Sequence, residues 1–326
     1  MLDQFGRQIT YLRISVVDKC NLRCMYCMPR GFISRQRMDQ LLTNDELVTL
    51  SGIFVGLGVR KIRLTGGEPL LRPGLPDVVR RLAAMPGVEQ LALSTNGVLL
   101  QRHAEALKRA GLDRVNVSLD TLVSERFAAI TGTDCWRTVV DGLLEARRVG
   151  LTPVKVNMVL MKGINDDEIV PMVEFAATHR LEVRFIEWMP TTTVVDGPRV
   201  DRFFSNEQAR EAIERAYRLV PEDLDPHAPA RRFRVEGTEA CVGFISPLSR
   251  FFCGMCNRVR LKANGRIKTC LHGAEELDLK TMLREGASVE AIEAIVRRTV
   301  FLRPEEHFLN RQDVAHHDFV MTQLGG

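Results

Sequence analysis

Six short apolar runs alternate with six helical patterns between residues 9 and 188, and no other feature restricts the fold of this chain as strongly. The runs cover 9–17, 61–65, 90–94, 114–119, 153–161 and 182–187, and each is rich in Val, Ile or Leu and closed by polar or glycine punctuation. Helical patterns occupy 43–56, 75–84, 102–110, 124–130, 136–149 and 167–178. Thr43-Asn44-Asp45-Glu46 has the N-cap and acidic first turn of a helix start, while Gly111 and Gly150 stand where C-terminal stops are expected. Such units predict a parallel sheet with right-handed crossovers, either doubly wound or a curved part-barrel. In both architectures ligands collect at the carboxyl ends of the strands.

The chemistry-bearing residues fall after those strands. After the first comes Cys20-Asn21-Leu22-Arg23-Cys24-Met25-Tyr26-Cys27, three thiols in one loop. A structural zinc site closes with four ligands and disulfides take cysteines in pairs, so three thiols leave a coordination position open. Two readings compete: an iron–sulfur cluster with a vacant iron, which the lack of a local fourth ligand favours, or a zinc knuckle completed from elsewhere. Thr65-Gly66-Gly67-Glu68-Pro69 follows the second strand, Ser94-Thr95-Asn96-Gly97 the third and Ser118-Leu119-Asp120 the fourth. The glycine pair serves either as a tight strand-to-helix turn or as a bare backbone that a ligand approaches, with Glu68 able to accept from an ammonium.

Charge and composition exclude several classes. A formal net charge of +4 suits neither a nucleic-acid coat nor a membrane-surface protein, and no run of about eighteen apolar residues is present to span a bilayer. The start lacks a basic segment followed by an apolar one, so no secretory signal is expected and the expected compartment is the cytoplasm. Eight cysteines in such a chain point to metal or redox chemistry rather than disulfides.

A boundary is expected over 189–206, followed by a helix at 206–217 and a loop through Pro229. Strand-like runs at 232–235 and 241–245 come next, then a hairpin of 258–262 and 266–269 turned by Ala263-Asn264-Gly265, and a last helix at 289–298. The second cysteine group, Cys253, Cys256 and Cys270, lies around this hairpin; with His272 it could equally close a Cys3His zinc site. Cys135 and Cys241 read as small core residues. Arg13, Lys61, Arg63, Lys155, Arg184, Arg258 and Arg260 sit inside strands, with Lys61/Arg63 and Arg258/Arg260 each on one face because strand side chains repeat every two residues. Pointed into a barrel, such charges call for an anionic ligand such as a polyphosphate nucleotide, held by side chains because no P-loop sequence is present.

Together these residues resemble the radical S-adenosylmethionine superfamily and, more narrowly, the molybdenum cofactor biosynthesis protein A family of GTP 3',8-cyclases. The superfamily likeness is carried by C-x3-C-x2-C with Tyr26 inside it. The narrower one rests on Cys-Met-Pro (27–29), Thr-Gly-Gly-Glu-Pro (65–69), Arg-Phe-Ile-Glu (184–187), Cys-x2-Cys-Asn-Arg-Val-Arg-Leu (253–261) and the terminal Gly325-Gly326. The likeness spans essentially the whole chain. It implies an incomplete (β/α)6 TIM-type barrel over residues 1–190, its open side closed by a C-terminal α+β region over 191–326.

It also implies two 4Fe-4S clusters, one on Cys20, Cys24 and Cys27 and one on Cys253, Cys256 and Cys270, each with an open iron. The first chelates S-adenosylmethionine, with Tyr26, Gly67, Ser118 and Met189 as further contacts; the second meets the guanine of GTP, leaving His272 a neighbour. Arg13, Arg63, Ser94, Lys155, Arg258, Val259 and Arg260 match GTP contacts, and Lys61 and Arg184 join the same lining. The implied reaction splits S-adenosylmethionine, removes hydrogen from the 3' carbon of GTP and joins that carbon to guanine C8. Arg258 and Arg260 are the pair expected to matter most in fixing the triphosphate. No nucleic-acid or membrane partner is implied; a homodimer, an electron donor and the next pathway enzyme are. Ser94 where threonine is common, a basic loop over 30–42, and Thr191-Thr192-Thr193 where a glycine is usual depart from the family pattern. A peptide-modifying radical enzyme, or a zinc-structured binding protein, are the alternatives.

Overall fold

The computed structural model describes residues 1–27, 37–189, 202–222, 225, 227–273, 275–307 and 321–324. Its strands are β1 (Tyr11–Val17), β2 (Lys61–Gly66), β3 (Gln90–Thr95), β4 (Arg114–Ser118), β5 (Lys155–Leu160), β6 (Glu182–Glu187), β7 (Leu219–Glu222), β8 (Ala230–Val235), β9 (Cys241–Ile245), β10 (Arg258–Leu261), β11 (Arg266–Lys268) and β12 (Leu277–Asp278). Helices α1 (Asn44–Gly56), α2 (Leu75–Ala83), α3 (Leu100–Arg109), α4 (Ser124–Thr131), α5 (Trp136–Arg148) and α6 (Ile169–His179) fill the crossovers between β1 and β6. The later region adds α7 (Asn206–Glu214), α8 (Leu279–Arg284) and α9 (Val289–Phe301). No helix among the described residues is long and apolar enough to cross a membrane.

The expected strand–helix alternation is present, and the architecture is an α/β partial TIM-type barrel. All strands belong to one sheet in the order β12-β11-β10-β1-β2-β3-β4-β5-β6-β9-β8-β7. The parallel run is longer than the six expected strands, because β10 adds parallel to β1 and β9 adds parallel to β6. The C-terminal region therefore reaches both free edges of the barrel strands. Strand β7, in a stretch read from sequence as part of a loop, pairs antiparallel with β8, and the short β12 with α8 extends the predicted hairpin. Pro221 inside β7 hid it, yet a proline is tolerated because β7 is the edge strand of the sheet. The boundary segment 190–201 and Gly325-Gly326 lie outside the described residues.

Local chemistry explains the frame. Thr43 Oγ1 accepts from Glu46 N at 3.1 Å while Glu46 Oε2 accepts from Thr43 N at 2.8 Å, a complete capping box at the start of α1. Along each barrel strand the side chains alternate between two fates. Leu12, Ile14, Ile62, Leu64, Val115, Val117, Val156, Met158, Val183 and Phe185 are buried beneath the helices, and each such burial contributes about 1.5–3 kcal/mol. The intervening residues, among them Tyr11, Arg13, Lys61, Arg63, Ser94, Asn116, Lys155 and Arg184, line a cavity inside the curl of the sheet.

Candidate active site

The cavity has a volume of about 280 Å³ and a cationic wall. Strand register places Arg13 directly between Arg260 on β10 and Arg63 on β2, with Tyr11 likewise between Arg258 and Lys61. Like charges opposite one another on a sheet repel. Burial and the Arg258 charge push Arg260 down to about 10, and burial with Arg260 drives Arg13 well below its ordinary value. A guanidinium stays charged at neutral pH, so the cost remains in the fold as repulsion. Arg258 is 9 % exposed, its guanidinium lies 4.7 Å from the Phe252 ring centroid, and its Nε and Nη2 find no hydrogen-bond partner among the described residues. Buried, unsatisfied donors of one sign are what an anionic ligand relieves.

Apart from Arg260 in the four-residue β10, these cations occupy the first halves of their strands rather than the carboxyl ends where sequence reasoning placed the ligands. Lys61, Lys155 and Arg258 open β2, β5 and β10, and Arg13, Arg63, Arg184 and Arg260 stand two residues further on or at the equivalent position. The cavity thus runs through the barrel interior. Ser94 Oγ accepts from Arg63 Nη1 at 3.2 Å, and Arg63 Nε donates to Tyr11 Oη at 2.5 Å. Lys61 Nζ pairs with Asp225 at 2.6 Å near the rim. Val259, between the two arginines of β10, turns its side chain into the core and can offer only backbone.

Burial raises the proton affinity of Tyr11, but the charges of Arg63, Arg13 and Arg258 outweigh it and bring the phenol down to about 7. An acid whose folded pKa lies below its ordinary value of 10.0 stabilises the fold above that value and loses the contribution as pH falls through about 7. Tyr11→Phe should therefore flatten the rise in melting temperature between pH 7 and pH 10. An unchanged slope in calorimetric melts would separate the phenolate from this cluster.

The first cysteine loop lies at the carboxyl ends of β1 to β4, where it meets Gly67, Asn96 and Asp120. Its backbone is fixed by Arg23 N to Thr131 O at 2.8 Å and Met25 N to Ile130 O at 2.9 Å, both at the end of α4. Gly67 N donates to Val17 O at 2.7 Å and Glu68 N to Lys19 O at 2.8 Å, so the glycine turn is pressed against the loop's own backbone. Glu68 is fully buried: its carboxylate accepts from Thr95 Oγ1, Asn96 N and Leu70 N, and burial pushes it up to about 7 against those bonds. It is therefore engaged within the protein. Tyr26 Oη donates to Asp120 Oδ2 at 2.7 Å, and Asp120 Oδ1 accepts from Val159 N at 2.8 Å. Ser118 is exposed at the end of β4, and Met189 lines the cavity itself.

Burial makes the thiols of this loop costly to ionise. Burial lifts Cys24 well above its ordinary value, with the nearby Cys27 and Cys20 adding to it, and burial with Cys20 pushes Cys27 up to about 12. Asn96 Nδ2 reaches Cys20 Sγ at 3.7 Å. Among the described residues no three His, Cys, Asp or Glu side chains close on a single-ion position. A thiol-only donor set, costly to ionise without a compensating charge, fits a polynuclear iron–sulfur cluster.

The second set, Cys253, Cys256 and Cys270, lines the cavity together with the arginines. Burial raises Cys256, but Arg258 and Arg303 reverse this and bring the thiol down to about 7. Its loop is clamped by residues that the sequence did not single out. Arg7 Nη1 donates to Cys253 O at 2.9 Å, Arg303 Nη1 to Cys256 O at 3.1 Å, and both guanidinium groups flank buried Asp3, at 2.5 and 3.7 Å. The ring of His272 faces that of His307 at 5.3 Å. Cys135 is half-buried against the core, and Cys241 sits half-buried with its sulfur 4.0 Å from the Glu222 carboxylate.

Tyr11 and Glu182 were also missed, although a signal existed: each stands two residues before a cavity-facing arginine and so shares its face.

Comparison with known proteins follows the same division of the chain. Residues 14–176 match the model of the radical SAM superfamily, and residues 181–309 that of the molybdenum cofactor synthesis C region. The chain is 44% identical over 330 residues to a GTP 3',8-cyclase of Moorella thermoacetica, covering 100% of both chains. It is 41% identical over 327 residues to GTP 3',8-cyclase 2 of Pseudomonas aeruginosa, covering 100% of this chain and 98% of that one. Streptococcus suis SuiB shares the fold, with a TM-score of 0.64 at 14% identity over 87% of this chain and 65% of that chain.

Proposed function

We propose a function for a chain that belongs to the radical SAM superfamily and, within it, to the GTP 3',8-cyclase family: cyclisation of GTP to (8S)-3',8-cyclo-7,8-dihydroguanosine 5'-triphosphate, the first step of molybdenum cofactor biosynthesis. The observation that carries this reading is one cavity bounded by arginines, lysines and the second thiol set, with Met189 from the end of the barrel strands in its lining. Cys20, Cys24 and Cys27 would hold one 4Fe-4S cluster, and Cys253, Cys256 and Cys270 the other. With S-adenosylmethionine, these groups supply the electron transfer and the hydrogen removal at the ribose 3' carbon that bond formation to guanine C8 requires.

The chain's own residues bind and orient. Arg13, Arg63, Arg258 and Arg260 grip the triphosphate through charge-assisted bonds, with Lys61, Lys155 and Arg184 completing the wall. Ser94 keeps the Arg63 fork aimed, and the backbone at Val259 holds the spacing of Arg258 and Arg260. Tyr26, fixed by Asp120, joins Gly67, Ser118 and Met189 around S-adenosylmethionine. Burial of the lining excludes water from a reaction that water would divert. Residues 1–190 form the barrel unit and 191–326 the second-cluster unit. The enzyme works in the cytoplasm as a homodimer, takes electrons from an external donor and hands its product to the next enzyme of the pathway.

Anaerobic incubation of cluster-loaded protein with S-adenosylmethionine, GTP and a strong reductant should yield 5'-deoxyadenosine and the cyclised nucleotide. Cys24→Ser should abolish both while roughly half the iron is retained on the second thiol set. Cluster-loaded wild-type protein that forms neither product sinks the reading.

A further inference from the structure

One carboxylate stands behind the cationic wall. Glu182 opens β6, is 3 % exposed, and meets cations from three strands. Lys155 Nζ lies 2.7 Å and Arg232 Nη2 3.2 Å from its Oε2, while Arg184 Nε lies 2.6 Å from Oε1. Arg232 on β8 also reaches Glu222 on β7 at 3.4 Å. Lys155 and Arg184 line the cavity; Glu182 is absent from the lining.

A carboxylate beside a polyanion site should weaken binding by repulsion, unless what it does to the cations outweighs that. The donor inventory decides. Arg184 spends Nε on Glu182 and keeps its paired Nη groups, and Lys155 spends one N–H of three. The carboxylate thus takes the rear of each cation, leaves the recognising edge to the cavity and fixes side chains that otherwise carry large rotamer freedom.

We propose that Glu182 is a positioning residue of the polyphosphate pocket, holding Lys155 charged and Arg184 turned so that their remaining N–H groups face the phosphates of the bound nucleotide. This rests on reading the cavity as the GTP site. The groups acting on Lys155 are Glu182 and Arg184 from β6 and Arg232 from β8, with Glu222 of β7 and Cys241 of β9 behind Arg232. Asn116 of β4 stands opposite Lys155 in register, while Arg63 and Tyr11 act on Arg184. Burial and the Arg184 charge push Lys155 down to about 7, and Glu182 opposes them. Without Glu182 the ammonium would be lost at lower pH.

The test is GTP and guanosine binding to the anaerobic holoenzyme, by calorimetry between pH 6 and pH 9. Glu182→Gln should weaken GTP about tenfold at pH 8, move the fall of affinity with rising pH about one unit lower, and leave guanosine within about twofold. In a Lys155→Gln background the same substitution should shift the pH profile no further. Glu182→Asp, which keeps the charge on a shorter stem, should weaken GTP severalfold with the wild-type pH profile, and it carries the test if Glu182→Gln does not fold. Unchanged GTP affinity in either folded variant overturns the proposal, as does equal loss for GTP and guanosine. Wild-type protein that binds no GTP overturns the cyclase reading as well; normal wild-type binding with an unaltered Glu182→Gln overturns this inference alone.

Discussion

Replacing Gly67 with alanine should strip the first cysteine loop of its iron while the second thiol set keeps its own. A Cβ at this position would stand 2.2 Å from Lys19 O, 2.5 Å from Lys19 C and 2.8 Å from Asp18 O. All are backbone atoms, so no side chain can swing aside. They are also held from both directions, since Gly67 N donates to Val17 O and Glu68 N to Lys19 O. Accommodating one methyl group therefore means moving the segment that leads into Cys20. Clashes against fixed backbone fall in the exceptional tail of single substitutions, above about 4 kcal/mol. Gly254→Ala supplies the control: it alters the second cysteine group, but nothing lies within 4 Å of the added carbon. Iron and sulfide analysis should find roughly half the metal in Gly67→Ala and a full complement in Gly254→Ala. Loss of 5'-deoxyadenosine formation should accompany the first. Full iron and activity in Gly67→Ala would mean the loop can retreat at little cost.

The glycine also shows how far a sequence reads and where it stops. Two glycines after a strand signal a close approach, yet nothing in the letters says what approaches. Here it is the chain's own cysteine loop, a contact between residues about fifty positions apart. The strand–helix alternation was legible because period-two burial along β1 to β6 writes the two faces of each strand directly into the pattern. The cations were legible as a set for the same reason. Their depth in the barrel was not, because the position of a ligand along a strand depends on how the sheet curls. Asp3, Arg7 and Arg303 were invisible for a different reason: a buried ion cluster that clamps a loop joins both ends of the chain, and each residue alone resembles ordinary surface charge. Strand β7 failed on local chemistry, since Pro221 beside Glu222 reads as loop until an edge position makes it acceptable.

Arg260→Ala should lower GTP affinity by about a hundredfold without destabilising the ligand-free protein, an outcome opposite to that of an ordinary core truncation. A buried side chain cut to alanine commonly costs a few kcal/mol through lost packing. Arg260, however, stands beside Arg13 in register, and Arg13 in turn beside Arg63, on strands about 4.8 Å apart. Burial and the Arg258 charge already push Arg260 down to about 10, the direction expected where a charge is held against its neighbours. Deleting it relieves Arg13, whose own depression includes the Arg260 charge, and this relief offsets the lost contacts. The bound state loses in full: a charge-assisted grip on phosphate, removed from a buried site, costs about 2–5 kcal/mol. Arg260→Lys restores the charge without the planar fork and should fall between the two. Melting temperature, iron content and GTP affinity measured on the same preparations separate the terms. A large drop in melting temperature with normal GTP binding would make Arg260 a structural residue, and the triphosphate would then have to be held by the arginines that remain.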